Sequence, residues 1–295
     1  MVAPGTLSAV PELPEVESAR ATVERAALHR RIAEVDDTDT YECRPHAPGE
    51  IRTALLGRSL TGAFRRGKSL WCETSGTGRS RTPGTGRSRT PGPVLGLHLG
   101  MSGRILVTGP DGTLTEGGDW LGGRYGQGGE EPDRKAVWDR FTLTFEDGGT
   151  LRLFDKRRLG RVRLDPDTSA LGPDAETVGA EELAARVRRG RSPLKARLLD
   201  QSVVAGVGNL LADETLWQAR LSPRRPVDEL TDGELERLHE ALHTATKAAI
   251  AHGGVHTGEV IPFRGAGRHC PRCGTAMERA TVGGRTTWWC PAEQT

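Results

Sequence analysis

The hydrophobic pattern of the chain changes near residue 172. Residues 51–154 contain short apolar runs, and Gly-rich turns such as residues 147–149 separate these runs. This pattern is typical of strands in a sandwich or barrel. From residue 180 to residue 251, apolar residues recur at helical spacing instead. The chain is therefore predicted to fold as a β-sandwich followed by a helical domain, and its 295 residues suffice for about two domains.

The element boundaries follow from the same spacing. An N-terminal helix is predicted from Pro14 to Ile32, because proline suits a first helical turn and apolar residues follow at helical intervals. The other predicted helices are Ala180–Arg189, Leu194–Gln201, Leu210–Ala219 and Asp232–His252. The predicted strands include Ser69–Cys72, Val94–Leu99, Phe141–Phe145 and Leu151–Phe154. These elements place the first domain at 11–172, the helical domain at 173–262 and a Cys-containing module at 263–295.

Two Gly-rich segments inside the first domain are predicted to be flexible loops. The motif GTGRSRTP occurs twice in tandem, at 76–83 and 84–91, within a predicted insert at 76–93. A period of eight without an apolar face is too short for a solenoid repeat, so a duplicated loop is the simpler interpretation. The second segment, at 109–129, has a similar composition.

Charge is informative through its distribution. The net charge of +2 says nothing about a polyanionic partner. Residues 64–104, however, carry eight basic residues and one acidic residue, and residues 186–225 carry nine and three. Such zones suit a phosphate backbone, although solvated protein surfaces are about as common an origin. No run reaches the ~18 apolar residues of a membrane span, and an odd cysteine count argues against a disulfide framework, so a soluble cytoplasmic protein is expected.

Three of the five cysteines lie near the C-terminus: Cys270, Cys273 and Cys290. The first two have the spacing that grips one side of a tetrahedral zinc ion. A four-cysteine ribbon would place its last thiolate at position 293, where this chain has Glu293. Either Glu293 or His269 completes the site with a harder ligand, or the module is metal-free and packs through Trp288 and Trp289.

A Gly-rich turn separates two of the predicted helices. Gly206, Gly208 and Asn209 lie between the helical patterns, where a tight turn exposes backbone N–H groups at the start of the next helix. Such a turn favours an anion. Taken alone, however, the motif is also what an ordinary helix–helix turn requires.

Six motifs occur in order along nearly the whole chain: PELPEVE at 11–17, RRGKSLW at 65–71, HLGMSG at 98–103, DKRRLG at 155–160, KARLLDQSVVAGVGN at 195–209 and GRTTWWC at 284–290. Together they resemble the formamidopyrimidine-DNA glycosylase and endonuclease VIII family of base-excision repair enzymes. The resemblance implies an α+β multidomain fold: an N-terminal helix with a β-sandwich, a helix-two-turn-helix domain and a zinc-finger-like β-hairpin. It also implies a monomer that binds double-stranded DNA with oxidised bases or abasic sites in the cleft between domains, associated through that DNA with a bacterial nucleoid.

The resemblance assigns the chemistry to Pro11 and Glu12. In the family a free N-terminal proline amine attacks C1′, expels the base and forms a Schiff base that undergoes β,δ-elimination, with the next carboxylate as general acid–base. Here Val10 precedes Pro11, so the proline nitrogen is an amide without a free lone pair. Valine can be encoded by the start codon GTG, and residues 1–10 are therefore expected to be a mis-assigned start. The alternative is a non-catalytic damaged-DNA binding protein that has lost the free amine.

The resemblance also implies the DNA contacts of this chain. Lys68 matches the lysine that contacts phosphate near the lesion, with a plain strand-surface lysine as the alternative. The remaining expected DNA-binding residues are Met101, Arg157, Leu159, Lys195, Asn209 and Arg285. The alternatives are a β-turn methionine in the core for Met101 and a helix-surface lysine for Lys195. Met101, Arg157 and Leu159 match side chains that fill the gap left by a flipped base. His98 is expected to be a core histidine, and Glu214 either an internal salt bridge or cap, or a lesion contact.

Substrate preference depends on the segment before the cysteines. Only about a dozen residues join Gly258 to Cys270, so the loop that caps 8-oxoguanine in the guanine-repair branch looks truncated. The expected enzyme therefore excises a broad or pyrimidine-leaning range of oxidised bases and cleaves abasic sites. A zinc-ribbon RNA or translation protein is disfavoured, because nothing in such a protein requires PELPEVE.

Overall fold

The structure, a computed structural model, describes residues 10–76, 91–118 and 135–295. These residues fall into two compact units, one formed by 10–11 and 15–168 and the other by 12–14 and 169–295. The change of unit after Thr168 lies close to the predicted boundary at 172. Residues 263–295, predicted as a separate module, belong to the second unit. Most of the predicted insert at 76–93 and part of the Gly-rich segment at 109–129 lie outside the described residues.

The first unit contains two antiparallel sheets. Its elements are α1 (Leu13–Ala26), β1 (Ile32–Asp36), α2 (Glu50–Leu55), β2 (Leu60–Arg66), β3 (Ser69–Thr74), β4 (Leu95–His98), β5 (Arg104–Thr108), β6 (Leu114–Gly118), β7 (Asp139–Phe145), β8 (Thr150–Phe154) and β9 (Arg161–Leu164). One sheet has the order β1-β7-β8-β5-β6 and the other the order β2-β3-β4-β9. Both sheets and α1 contribute side chains to a single buried cluster. This arrangement confirms the predicted β-sandwich with an N-terminal helix.

The period-two burial of β7 shows how the sequence produces this core. Phe141, Leu143 and Phe145 are buried, while the residues between them are half-buried on the other face. Alternation of this kind places one face of a strand against the core and the other toward solvent. The turn at 147–149 then returns the chain into β8, with Gly148 at a φ of 85°.

Two elements of the first unit differ from the sequence predictions. The N-terminal helix ends at Ala26 rather than at Ile32, which is instead the first residue of β1. His29 adopts a φ of 64°, and its N–H bonds to the Leu60 carbonyl, so the chain leaves the helix and joins a sheet. Residues 114–118, predicted as part of a flexible loop, form β6 and pair with β5.

The second unit is mostly helical. It contains α3 (Ala180–Val187), α4 (Leu194–Leu199), α5 (Asn209–Ala219) and α6 (Asp232–His252), followed by the hairpin strands β10 (Glu278–Val282) and β11 (Arg285–Trp289). α6 starts at a capping box between Thr231 and Glu234 and ends at Gly253, whose φ is 90°. Such signals are local, which is why the predicted bounds of α6 match. Among the described residues, every helix is too short or too polar to cross a membrane.

Candidate functional site

The carboxylate of Glu12 caps the N-terminus of α5. It accepts hydrogen bonds from the backbone N–H groups of three residues at that helix start: Gly208 (2.9 Å), Leu210 (2.8 Å) and Leu211 (3.0 Å). These N–H groups have no intrahelical partner and carry the positive end of the helix dipole. The anion that the Gly-rich turn was predicted to attract is therefore a side chain of the chain itself. Pro11, which precedes Glu12, is buried.

Gly208 makes this capping arrangement possible. A Cβ atom at that position would overlap the carboxyl carbon of Glu12. The φ of Gly208 is −119°, which any residue can adopt, so space rather than backbone conformation requires glycine here. The glycine thus permits close approach of the carboxylate to the α5 amides.

Lys195 is fully buried rather than presented on a surface. Its ammonium lies 2.6 Å from Asp213 Oδ1 in an ion pair whose two side chains are 0% and 1% exposed. Asp213 Oδ2 also accepts from Arg264 Nε at 2.7 Å. Burial lowers the pKa of Lys195 by desolvation, while the nearby Asp213 carboxylate opposes that shift. In this structure the lysine expected to bind DNA is therefore enclosed in the interior of the second unit.

Lys195 also fixes the side-chain amide of Asn209. Its ammonium donates to Asn209 Oδ1 at 2.7 Å and to Thr287 Oγ1 on β11 at 2.8 Å. Because an ammonium group only donates hydrogen bonds, the oxygen of the amide must face it. The Asn209 Nδ2 group points the other way, and within the part of the chain that the structure describes it has no hydrogen-bond partner.

Two loops of the first unit carry the expected wedge residues and pack directly on each other. Met101 lies in the turn after β4, and Arg157 and Leu159 lie in the turn between β8 and β9. A Cβ on Gly100 would overlap the backbone of Leu159, so only glycine allows this approach; its φ is also positive, at 61°. The structure thus brings the two predicted wedge loops together.

The buried carboxylate of Asp155 accepts hydrogen bonds from both loops. It is 0% exposed, and its carboxylate accepts from Ser102 Oγ of the first loop at 2.8 Å. Three backbone N–H groups of the second loop donate to it as well, those of Arg157 (2.9 Å), Leu159 (2.8 Å) and Gly160 (2.8 Å). The loop conformations therefore depend on one buried carboxylate.

The side chains of these loops and of the β2–β3 hairpin differ in exposure. Arg157 is exposed, and among the described residues its guanidinium makes no ion pair; Met101 and Leu159 are half-buried. Lys68 lies at the tip of the β2–β3 hairpin and is half-buried. The prediction for His98 was wrong: its neighbours on β4 point into the core, whereas His98 is exposed and its Nδ1 accepts from the Gly100 N–H.

Three cysteines converge in the second unit. The sulfur atoms of Cys270, Cys273 and Cys290 lie within 4.8 Å of one another. Burial would raise the pKa of Cys270, but the Trp217 indole N–H, at 3.4 Å from its sulfur, and backbone N–H groups lower it to about 7. Three thiolates supply three of the four ligands of a tetrahedral zinc ion, so the cluster fits zinc.

Glu293 does not join the cysteine cluster, contrary to the expected fourth ligand. Its carboxylate pairs with Arg220 Nη1 at 3.2 Å and Arg272 Nη1 at 3.4 Å, so two guanidinium groups hold it away from the thiols. His269 is exposed and is likewise absent from the group of candidate ligands.

Glu214 has a structural role, which was one of the two roles predicted for it. Its carboxylate is buried and accepts from the Val260 N–H at 2.9 Å and from Gln218 Nε2 at 2.8 Å. Burial raises the pKa of Glu214, and these donors partly offset that shift. The residue therefore anchors the segment that follows α6.

Asp213 and Arg264 are structural residues that the sequence predictions missed. Asp213 lies four residues after Asn209, on the same face of α5, and this spacing was a usable signal. Arg264 and Thr287 offered no such signal, because they contact Asp213 and Lys195 from distant parts of the chain.

Comparison with known proteins places the chain in a family. The formamidopyrimidine-DNA glycosylase N-terminal domain matches residues 10–162, and the H2TH domain of that family matches residues 170–259. Formamidopyrimidine-DNA glycosylases of Parafrankia sp. (strain EAN1pec) and Nocardioides sp. (strain ATCC BAA-499 / JS614) are each 32% identical, over 97% of this chain and 98% and 94% of theirs. The chain belongs to the formamidopyrimidine-DNA glycosylase family.

Solved structures show the same fold. The complex of Lactococcus lactis Fpg with abasic-site DNA has a TM-score of 0.73 and 24% identity, over 96% of this chain and 99% of that one. MutM in complex with DNA containing carbocyclic 8-oxo-G has a TM-score of 0.74 and covers 97% of this chain and all of its own. The predicted α+β architecture and the family resemblance are thus confirmed.

Proposed function

We propose that this chain is a DNA glycosylase of base-excision repair that also cleaves abasic sites. The amine of Pro11 would attack C1′ of the damaged nucleotide, and the resulting Schiff base would undergo β- and δ-elimination. Family membership supports the glycosylase activity. The capping of Glu12 by three backbone N–H groups carries the proposal, because it fixes a carboxylate next to the proposed nucleophile in sequence.

Glu12 is proposed to transfer protons in this reaction. A general acid–base contributes about 10²–10⁴-fold when it is held within reach of the reacting atoms. The Glu12→Gln variant keeps the shape and one acceptor oxygen but cannot exchange a proton. We expect it to bind abasic-site duplex while its cleavage rate falls at least about 100-fold.

The proposed nucleophile requires a free secondary amine at Pro11. An α-amine titrates near ~8, so enough neutral amine exists at physiological pH. Borohydride trapping of abasic-site duplex tests the requirement, with a chain that begins at Pro11 compared with the 295-residue chain. A covalent band from the Pro11 chain supports the proposal. Bands from neither chain would favour the runner-up, a damaged-DNA binding protein without catalysis.

DNA contacts are proposed for Lys68, Asn209 and Arg285, with Met101, Arg157 and Leu159 filling the gap beside a flipped base. Arg285 is exposed at the start of β11, and in the described ranges its guanidinium has no ion pair. Arginine on phosphate contributes to salt dependence, with a slope of about −0.9 in log K against log salt per contact. The Arg285→Ala variant should therefore flatten that slope by about 0.9.

The same slope separates two roles for Lys195. If Lys195 acts only through Asn209, the Lys195→Met variant weakens binding of abasic-site duplex but leaves the slope unchanged. If its ammonium reaches phosphate directly, the slope flattens by about 0.9, as for Arg285. Its complete burial and its bond to Asn209 support the indirect role.

A zinc ion is proposed for the cluster of Cys270, Cys273 and Cys290.

The substrate range is proposed to be broad or to favour oxidised pyrimidines. Excision of 8-oxoguanine opposite cytosine as fast as excision of thymine glycol would contradict this preference for pyrimidines. The chain is proposed to act as a monomer, which sedimentation of the free protein tests.

A further inference from the structure

Glu42 is a buried acid for which the proposed chemistry has no use. It is 0% exposed, and within the described residues neither carboxyl oxygen accepts a hydrogen bond from any donor. Its backbone carbonyl accepts from the Val162 N–H on β9 at 2.9 Å, so the residue lies directly against the start of that strand. An ionised carboxylate without donors is strongly disfavoured in such a place.

The neighbour of Glu42 is Asp155, the carboxylate that holds both wedge loops. Asp155 already receives one hydroxyl and three backbone N–H groups, which compensate its negative charge. Glu42 has no such compensation. Its Oε2 lies against Gly160, where a Cβ atom would come within 2.8 Å of it, and the Gly160 N–H is one of the donors to Asp155. The two carboxyl groups therefore lie beside the same glycine, and Asp155 is among the groups that raise the pKa of Glu42. Of two adjacent carboxyls, the one with fewer donors keeps the proton.

The other charged groups around Glu42 do not reverse this assignment. Asp39 repels a second negative charge, and its own oxygens pair with Arg158 at 2.7 Å and Arg140 at 3.7 Å. Arg140 favours the ionised form of Glu42, but its Nε donates to the Asp155 carbonyl. The thiol of the next residue, Cys43, is buried with its pKa raised to about 12 and is therefore neutral. Burial first, and then Asp155 and Asp39, raise the pKa of Glu42 to about 8.

We propose that Glu42 is a positioning residue which, as a neutral acid, donates a hydrogen bond to Asp155 and so holds the loops of Met101 and Arg157–Leu159 in their DNA-binding conformation. The proposal rests on the proposed function for the meaning of those loops, but the hydrogen bond itself does not. Glu42 touches no DNA in this scheme. Its effect passes through Asp155 to the three N–H groups and to Ser102.

Loss of the Glu42 proton should loosen both loops. With a pKa of about 8, only about a tenth of Glu42 molecules keep the proton at pH 9. A second negative charge beside Asp155 then competes for the same donors. The amide protection of Arg157, Leu159 and Gly160 should accordingly fall about tenfold between pH 7 and pH 9.

The test uses the full chain without DNA, and compares protection factors by hydrogen exchange across pH 6–9.5. The Glu42→Gln variant has a permanently neutral donor of the same shape, so it should retain protection at pH 7 and show no alkaline loss. The Glu42→Leu variant has no donor and should lose protection at every pH. Glu146→Gln, an exposed glutamine substitution on another loop, should behave like the parent chain.

Wild-type and Glu42→Gln profiles that fall together would overturn the proposal, as would a Glu42→Gln variant that is unprotected at pH 7. If the variants fail to fold, the protonated-carboxyl C=O stretch of the unaltered chain decides: a band that titrates near pH 8 supports the proposal, and its absence at pH 7 refutes it.

A second measurement keeps this inference distinct from the proposed function. Binding to an uncleavable abasic-analogue duplex carrying 2-aminopurine opposite the lesion reports loop insertion without catalysis. Glu42→Leu should weaken binding about tenfold and reduce the fluorescence change, while Glu42→Gln should match the parent chain. A parent chain that binds but does not cleave contradicts the lyase and leaves the Glu42 result intact.

Discussion

Replacing Asp213 by asparagine is expected to destabilise the second unit by about 3–5 kcal/mol. Asp213 lies between two buried cations, with Lys195 Nζ at 2.6 Å from one oxygen and Arg264 Nε at 2.7 Å from the other. The side chains of all three are at most 4% exposed. Removing the only carboxylate of this group leaves two uncompensated charges in a region with little water, which accounts for the magnitude.

Urea denaturation followed by tryptophan fluorescence measures this loss, since Trp217 and Trp289 are buried in the same unit. Asp228→Asn is the matched control, because it breaks a solvated pair with Arg191, whose side chain is 88% exposed. That control should change the free energy of unfolding by less than about 1 kcal/mol. An Asp213→Asn loss no larger than the control would refute the reasoning.

The loss should also depend on pH, and its sign can be derived. Burial lowers the pKa of Lys195, and removing Asp213 removes the main influence that opposes this shift. In the variant the unfolded chain therefore holds more protons than the folded one over the window between the two pKa values. The stability of Asp213→Asn should rise with pH through that window, whereas a purely steric defect would show no such trend.

The remaining predictions concern the helix start and the cysteines. Gly208→Ala should displace the Glu12 carboxylate and slow abasic-site cleavage as much as Glu12→Gln does, while Gly233→Ala, which has open space around its Cβ, should leave cleavage unchanged. Cys273→Ser should lower bound zinc, read by metal analysis of dialysed protein, because it removes a thiolate ligand. Glu293→Gln should keep the zinc content of the parent chain, and a loss there would show that the carboxylate is a ligand after all.

Local signals explain most of what the sequence predicted correctly. α6 has its capping box at Thr231 and its terminal Gly253, and its bounds match the prediction. The end of α1 was wrong because Ile32 fits a helical period but is buried as the first residue of β1. Its place depends on pairing with β7, far along the chain, which no local period encodes.

In the candidate site, too, local motifs predicted some residues correctly but not their distant partners. Motifs identified Glu12 and Asn209, but the partners that decide what these side chains do come from distant segments. Lys195 illustrates the limit: its position in a motif suggests DNA contact, whereas Asp213 and Thr287 enclose it. Glu42 lies in no motif, and only its burial against Gly160, in the loop that Asp155 holds, makes it a candidate.

The run from 195 to 214 therefore resembles a DNA-binding motif, although several of its polar groups have partners inside the protein. Lys195 pairs with Asp213, Glu214 holds the segment at Val260, and the N–H groups at the start of α5 are used by Glu12. The Asn209 amide nitrogen, proposed above as a phosphate donor, has no hydrogen-bond partner among the described residues, while the amide oxygen accepts from Lys195. A single neutral donor would add little affinity. Its proposed value lies in its position, because Asn209 stands at the helix start that fixes the Glu12 carboxylate, and phosphate contacts set register rather than read sequence. The buried Lys195 is thus explained by the orientation that it imposes on the Asn209 amide, since buried ion pairs alone contribute little net stability.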